Sequence, residues 1–373
     1  MFKIKKVQTK KELLDFIKFP WKIYKDDPNW VPHLISERKE FFDPLKNPFF
    51  KHSEVVFFLA KKDKEIVGRI GGHINHNHND FHNEKTGFFG FFECVNDFEV
   101  AKLLLDTVRD WLKSKGMEIM RGPANFSTNE EIAFLLEGFD SAPAFMMSYN
   151  PKYYLDLMGK YGMRKAKDVF AWYFDRTFKP SERVIRIAER VEKKENLKIR
   201  TLDLKDFGNE IKRVKKIYNS AWSKNWGFVP MNDEEFEHMC KNLKQIVDPQ
   251  MVFIAEIDGE PVGFSLALPN INPVLKRLNG RFFPFGILKL FWFTRIKNMV
   301  KSARIITLGV VDNYRKKGIE TIFYVRSIRD GIKRGYTWGE LSWVLEDNVL
   351  MNKALETLGA KLYKKYRIYE MRI

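Results

Sequence analysis

Phe58-Leu-Ala-Lys-Lys-Asp-Lys-Glu-Ile-Val-Gly68 and Phe253-Ile-Ala-Glu-Ile-Asp-Gly-Glu-Pro-Val-Gly263 are two versions of one pattern. Laid over each other at an offset of 195 residues, they share Phe, Ala, Asp, Glu, Val and Gly in register. Each alternates apolar residues around a polar Asp-Lys or Asp-Gly break, which reads as strand, tight turn, strand. Two further anchors repeat in the same order: Asn29-Trp30-Val31-Pro32 against Asn225-Trp226-Gly-Phe-Val229-Pro230, and Asn150 to Gly162 against Asn348 to Gly359. A single hairpin match is generic, whereas three ordered anchors point to two copies of one fold.

Working outward, each copy has the order strand, one or two helices, hairpin, strand, helix, strand, helix, strand. In the first copy, Gly87 to Cys94 is a strand. Phe98 to Lys115 is a helix carrying Leu103, Leu104, Val108, Trp111 and Leu112 at helical spacing, ended by Gly116. In the second, Ile305 to Val311 is a near-continuous apolar strand, followed by a helix from about Ile319 to Lys333 that stops at Gly335. Pro180-Ser181 opens an amphipathic connecting helix with Val184, Ile187, Ala188 and Val191 on one face. The expected domains are 1–179 and 180–373, the second with a hydrophobic insertion at about 270–303.

Composition agrees with two folded domains. The chain has 373 residues, 45% hydrophobic and 30% charged, a balance that excludes a disordered tail or a fibre. At roughly 150 residues per domain, two domains with embellishments is the natural expectation. The net charge of +17 implies attraction to phosphates, anionic cofactors, nucleic acid or an acidic membrane surface. Cys94 and Cys240 cannot form a disulfide framework, which suits a reducing cytoplasm. Met1 to Lys6 has no secretory pattern. The greasiest stretch, 282–294, is broken by Pro284, Gly286 and Lys289 and is too short to cross a bilayer.

The most informative local motif is Leu308-Gly-Val-Val-Asp-Asn-Tyr-Arg-Lys-Lys-Gly-Ile319, a strand running through a short basic loop into a helix. Free backbone amides and the helix dipole favour an anion there, Gly318 leaves the backbone bare, and Arg315, Lys316 and Lys317 add positive charge. The Gly-Lys-Ser/Thr ending of a nucleotide-triphosphate loop is missing. Arg315-Lys-Lys-Gly318-Ile-Glu320 resembles the Arg/Gln-x-x-Gly-x-Gly/Ala signature of the GNAT family of acyl-CoA N-acyltransferases, with Glu320 at the position of the usual small residue. The resemblance runs on through strand Trp338 to Leu345, Asp347-Asn348 and a helix ending at Gly359, and the repeat carries it to both halves and so to nearly the whole chain.

The resemblance implies an α/β (α+β) protein of two tandem GNAT-like domains, each a mixed, mostly antiparallel sheet flanked by helices. It implies that acetyl-CoA or another acyl-CoA binds at Val310, Asp312, Arg315, Lys316, Lys317, Gly318, Ile319, Glu320 and Asn348, and that the acyl group passes to an amine. No metal is implied. An amine must lose a proton to attack, for which Glu340, Glu346 and Asp347 are the available carboxylates. The developing oxyanion would meet a backbone N–H near Val310. Leu355 occupies the place of the family's frequent tyrosine acid; Tyr363 and Tyr366 are substitutes or packing residues. In the first half, Asn96-Asp-Phe-Glu99 stands opposite the basic loop, so only the second half is expected to bind CoA.

Other clusters have two readings. Trp222 and Trp226, with Trp21 and Trp30, lie where this family shapes its acceptor site. Asn125, Ser127 and Asn129 lie at the end of a strand as acceptor contacts; equally, Ser127 with Glu130, or Thr128 with Glu131, makes a helix capping box. His73, His76, His78 and His82 read as a polar loop, since cysteines and a His-Glu-x-x-His spacing are missing. Phe282 to Phe293, flanked by Arg277, Arg281, Arg295, Lys297 and Lys301, would cover a sheet, line an acceptor pocket or rest in a membrane interface. The alternative to an enzyme is a non-catalytic or aminoacyl-tRNA-dependent module, related to Fem-type transferases, that binds RNA or an anionic envelope polymer.

Overall fold

The computed structural model describes residues 1–177, 180–194, 196–282 and 286–373. Residues 178 and 179, which adjoin the expected boundary, and Phe283 to Phe285 of the hydrophobic run, lie outside the described residues, as does the Arg295 side chain. Among the described residues thirteen strands follow one another as β1 (Phe2–Lys6), β2 (Ser53–Lys62), β3 (Glu65–Asn75), β4 (Thr86–Cys94), β5 (Ile119–Gly122), β6 (Phe134–Glu137), β7 (Arg164–Asp175), β8 (Leu197–Thr201), β9 (Val252–Ile257), β10 (Glu260–Pro269), β11 (Ser302–Val310), β12 (Trp338–Leu345) and β13 (Lys361–Arg372).

Two compact units form. Unit 1 holds residues 1–169, 272–297 and 364–373; unit 2 holds 170–271 and 298–363. The last ten residues therefore lie with the first sequence half. A strand belongs where its ladder bonds are made, and β13 pairs antiparallel with β5, Tyr369 opposite Gly122.

The same pairing scheme recurs in both units. In unit 1, β1/β2, β2/β3 and β3/β4 are antiparallel and β4/β5 is parallel. In unit 2, β8/β9, β9/β10 and β10/β11 are antiparallel and β11/β12 is parallel. The hairpins that revealed the duplication are β2/β3 and β9/β10, and the second turns through Asp258 and Gly259, both at positive φ, as a tight hairpin requires.

The helices sit where the apolar stripes demand. Phe98–Ser114 buries Val100, Ala101, Leu104, Leu105, Val108 and Leu112 against the unit 1 sheet. Glu182–Glu192, capped by Ser181, buries Ala188 and Val191 and packs with Ile319, Ile322 and Phe323 of the helix Ile319–Lys333 in unit 2.

The histidine cluster corrects the expectation of a polar loop. His73 lies in β3, two residues before its end at Asn75, and His78 lies in a helix, His76–His82, and both are buried. Burial pushes their pKa values down, to about 3 and about 4, because an apolar surrounding disfavours the charged ring. The capping-box reading of 127–131 is corrected as well: no helix starts there, and the Ser127 hydroxyl accepts from the Asn129 N–H at 3.1 Å within a turn.

Candidate functional site

The basic loop of unit 2 occupies the eight residues 311–318 between β11 and the helix Ile319–Lys333. Asp312–Tyr314 form one 3-10 turn, Lys316 takes a positive φ of 60°, and Gly318 is the N-cap at φ 92°. That left-handed backbone is cheap only for glycine. A Cβ at 318 would also lie 2.8 Å from Val191. The missing side chain thus makes room for Val191. What remains bare is the helix end itself, which has no side-chain cap.

The charged residues divide into two groups. Arg315 is turned onto the protein: its Nε donates to the Val310 carbonyl at 3.1 Å, its Nη2 to the Ala221 carbonyl, and its Nη1 pairs with Asp312 at 3.0 Å. Asp312 also accepts from Lys224 at 2.6 Å, and that bond holds its carboxyl below the usual range. These contacts fasten the loop to the end of helix Phe207–Trp222. Lys316 and Lys317 stay exposed, Lys317 over the Tyr314 ring. Val310 and Ile319 are buried core residues, and Glu320 stands in the first helical turn. A pyrophosphate placed here would meet free amides, the positive end of a 15-residue helix and two lysines.

Beside the loop the sheet opens. Parallel pairing of β11 with β12 runs only from Ser302/Trp338 to Ile305/Leu341, although both strands continue for several residues. At the same level the β10/β11 register slips between Leu266 and Ala267, so Ile306 is an extra residue in β11. Such a bulge re-aims the backbone and is common next to active sites. The Thr307 hydroxyl, one residue on, is buried without a hydrogen-bond partner among the described residues. Trp222 lies over β11 here: a Cβ on Gly309 would come within 2.3 Å of its ring.

Glu340 sits at the mouth of this opening, fully buried. It accepts from the Ser342 and Tyr363 hydroxyls and lies 3.6 Å from Arg304, which in turn donates to Ser342 Oγ at 2.8 Å. Its oxygens are thus already engaged, as suits a residue that fixes the parted strands. Asn348 caps the helix Val349–Thr357 by accepting from the Met351 N–H at 3.3 Å, and Leu355 is core. Glu346 follows β12, its carbonyl accepting from Asn352. Trp226 is half-buried just beyond helix Phe207–Trp222. The structure thus gathers the loop residues with Trp222 and joins Glu340 to Tyr363. Asn125, Ser127, Asn129 and Tyr366 lie in unit 1, where Tyr366 is buried opposite Leu135. Arg304, Ser342 and Ile306 had no local sequence signal.

In unit 1 the corresponding places are filled. Only residues 95–97 separate β4 from its helix, and Asp97 caps that helix by accepting from the Glu99 N–H at 2.9 Å. β4 carries a bulge too, at Phe91, whose φ is 51°. Its N–H is taken by Asn125 Oδ1 at 2.8 Å. Gly90 is pressed so close to the Ala124 carbonyl that a Cβ would lie 1.9 Å away. The Glu93 carboxylate, mostly enclosed, accepts from Tyr24 and Tyr154 at 3.0 and 2.7 Å, and loss of solvation pushes its pKa up.

Strand order, parted parallel strands and loop-to-helix turn together define a tandem GNAT-fold protein. The structure is similar over its whole length to a tandem GNAT protein from the clavulanic acid biosynthesis pathway (TM-score 0.60, 8% identity, 98% of that chain). It is also similar to a GCN5-related N-acetyltransferase from Sphaerobacter thermophilus (TM-score 0.54, 13% identity, 95% of that chain). In sequence it is 38% identical to Protein YghO of Escherichia coli over 98% of this chain and 94% of that one. It is 37% identical to the bacterial ceramide synthase of Caulobacter vibrioides over 98% and 96%. The chain belongs to the family of these two proteins. No protein-family model matches it.

Proposed function

We propose that the protein is an acyl-CoA-dependent N-acyltransferase, with unit 2 holding the CoA diphosphate on the 316–320 amides. The acceptor is an amine carried on a long apolar chain. The observation that supports this most is the uncapped helix end at Gly318, directly preceded by the exposed Lys316 and Lys317 beside parted strands. The reaction forms a C–N bond at the thioester carbonyl and breaks the C–S bond, and the proton lost by the amine ends on the departing thiolate, giving the amide and free CoA thiol. A thiol of pKa roughly 8.5 needs little help to leave, so Leu355 in place of an acid is tolerable. Backbone amides near the Ile306 bulge are the donors available to the developing oxyanion. The name of the Caulobacter relative supports the acceptor class, since a ceramide is the amide of a long-chain amino alcohol, and it favours a fatty acyl group over acetyl.

The test is a thermal-shift titration with CoA on the wild type and on a Lys316→Glu/Lys317→Glu double variant, both substitutions at exposed positions. The wild type should gain stability with rising CoA and the variant should need about 100-fold more, from reversal of two charges beside a diphosphate. Absence of any shift in the wild type would overturn the reading and leave the RNA or envelope-polymer alternative.

A further inference from the structure

The insertion between β10 and β11 has two unlike parts, both in unit 1. The first, helix Asn272–Leu278, is seated: Val274 and Leu278 are buried and Asn272 donates to the Pro143 carbonyl at 2.8 Å. The second, helix Gly286–Phe291 continuing as a wider turn through Trp292–Ile296, is not. Leu288, Phe291, Trp292 and Ile296 are 68%, 59%, 49% and 56% exposed. Their spacing of three, four and eight residues from Leu288 places them along one helical face. Burying them in the fold would have been favourable by ordinary apolar transfer, yet they point to solvent.

The surrounding charge says what suits this face. Arg277, Arg281, Lys289 and Lys297 are all exposed, Lys297 beside the Trp292 ring, and the described residues from 272 to 297 include no acid. The chain as a whole carries +17. An apolar stripe with tryptophan at its centre and cations along its flanks is complementary to an anionic lipid surface: the rings enter the headgroup boundary and the cations meet lipid phosphates. A soluble acidic protein would satisfy the cations and leave the aliphatic and aromatic side chains without a comparable sink.

We propose that Leu288, Phe291, Trp292 and Ile296, with Lys289 and Lys297, form a site that docks the protein peripherally on bilayers containing anionic phospholipid. This stands apart from the transfer reaction, so the test reads binding alone. The full-length protein is sedimented with phosphatidylcholine vesicles and with vesicles in which phosphatidylglycerol replaces part of the phosphatidylcholine, at low and high salt. Wild type should pellet with the anionic vesicles and far less with the neutral ones. A Leu288→Gln/Phe291→Gln/Trp292→Gln variant should bind about tenfold more weakly, and Lys289→Gln/Lys297→Gln should lose most of the preference for anionic lipid. The thermal midpoints check that these surface changes leave the fold intact. As a second measurement, a dye on Leu288→Cys should brighten with anionic vesicles. Three results would overturn the proposal: no wild-type binding, equal binding by the triple variant, or lipid-free self-association that the triple variant abolishes.

Discussion

The third strand-to-helix turn of each unit is built from the same fold and reaches opposite ends. In unit 1 the helix Phe98–Ser114 follows β4 after residues 95–97, and Asp97 places its own carboxylate on the first amides. In unit 2 the connection is eight residues long, its N-cap is a glycine, and no side chain caps the helix. The first helix end carries its anion covalently; the second carries none of its own. The neighbouring gap between parallel strands differs in the same sense. Asn125 and Ala124 occupy it in unit 1, whereas in unit 2 the ladder simply stops after Ile305/Leu341. Of these two equivalent turns, one helix start is closed by its own side chain and the other is not.

Three substitutions break or sharpen this contrast. The largest effect is expected from Arg304→Ala, which strips the cation from Glu340 where both are buried beside the open strands. Leaving a buried carboxylate uncompensated should cost about 3–5 kcal/mol, measurable by urea denaturation, and Glu340→Gln in the same chain should recover most of it. Full stability of Arg304→Ala would show that the opening is held by something else. Gly318→Ala comes next. The positive φ and the contact with Val191 should cost about 2 kcal/mol, and CoA stabilisation should fall with it because the amides are displaced. The smallest effect is expected from Asp97→Ala, the loss of a cap in unit 1, at about 1 kcal/mol and with the CoA response unchanged. A changed CoA response in Asp97→Ala would mean that the first unit takes part in binding after all.

Much of this was legible before any coordinates. The helix start at Ile319, the connecting helix capped by Ser181, and the paired hairpins were readable because capping, turn chemistry and apolar periodicity act over a few neighbouring residues. The histidines show the limit. Their local sequence is polar and reads as a loop, yet His73 stacks on Phe88 in the core, a contact no local pattern encodes. Glu340 shows it again: as a residue it is a candidate base, and only its neighbours make it a fixed partner of Arg304, Ser342 and Tyr363.

The sequence by itself determined that one fold is present twice, where the paired hairpins, the connecting helix and the helix at Ile319 begin, and that charge and glycine concentrate in one of two equivalent loops. Tertiary structure decided which strand completes which unit, where β11 bulges and leaves β12, which arginine serves the protein, and which apolar residues stay outside. The first set rests on contacts between residues adjacent along the chain, the second on pairings across more than a hundred residues, whose outcome depends on every element that competes for the same partner.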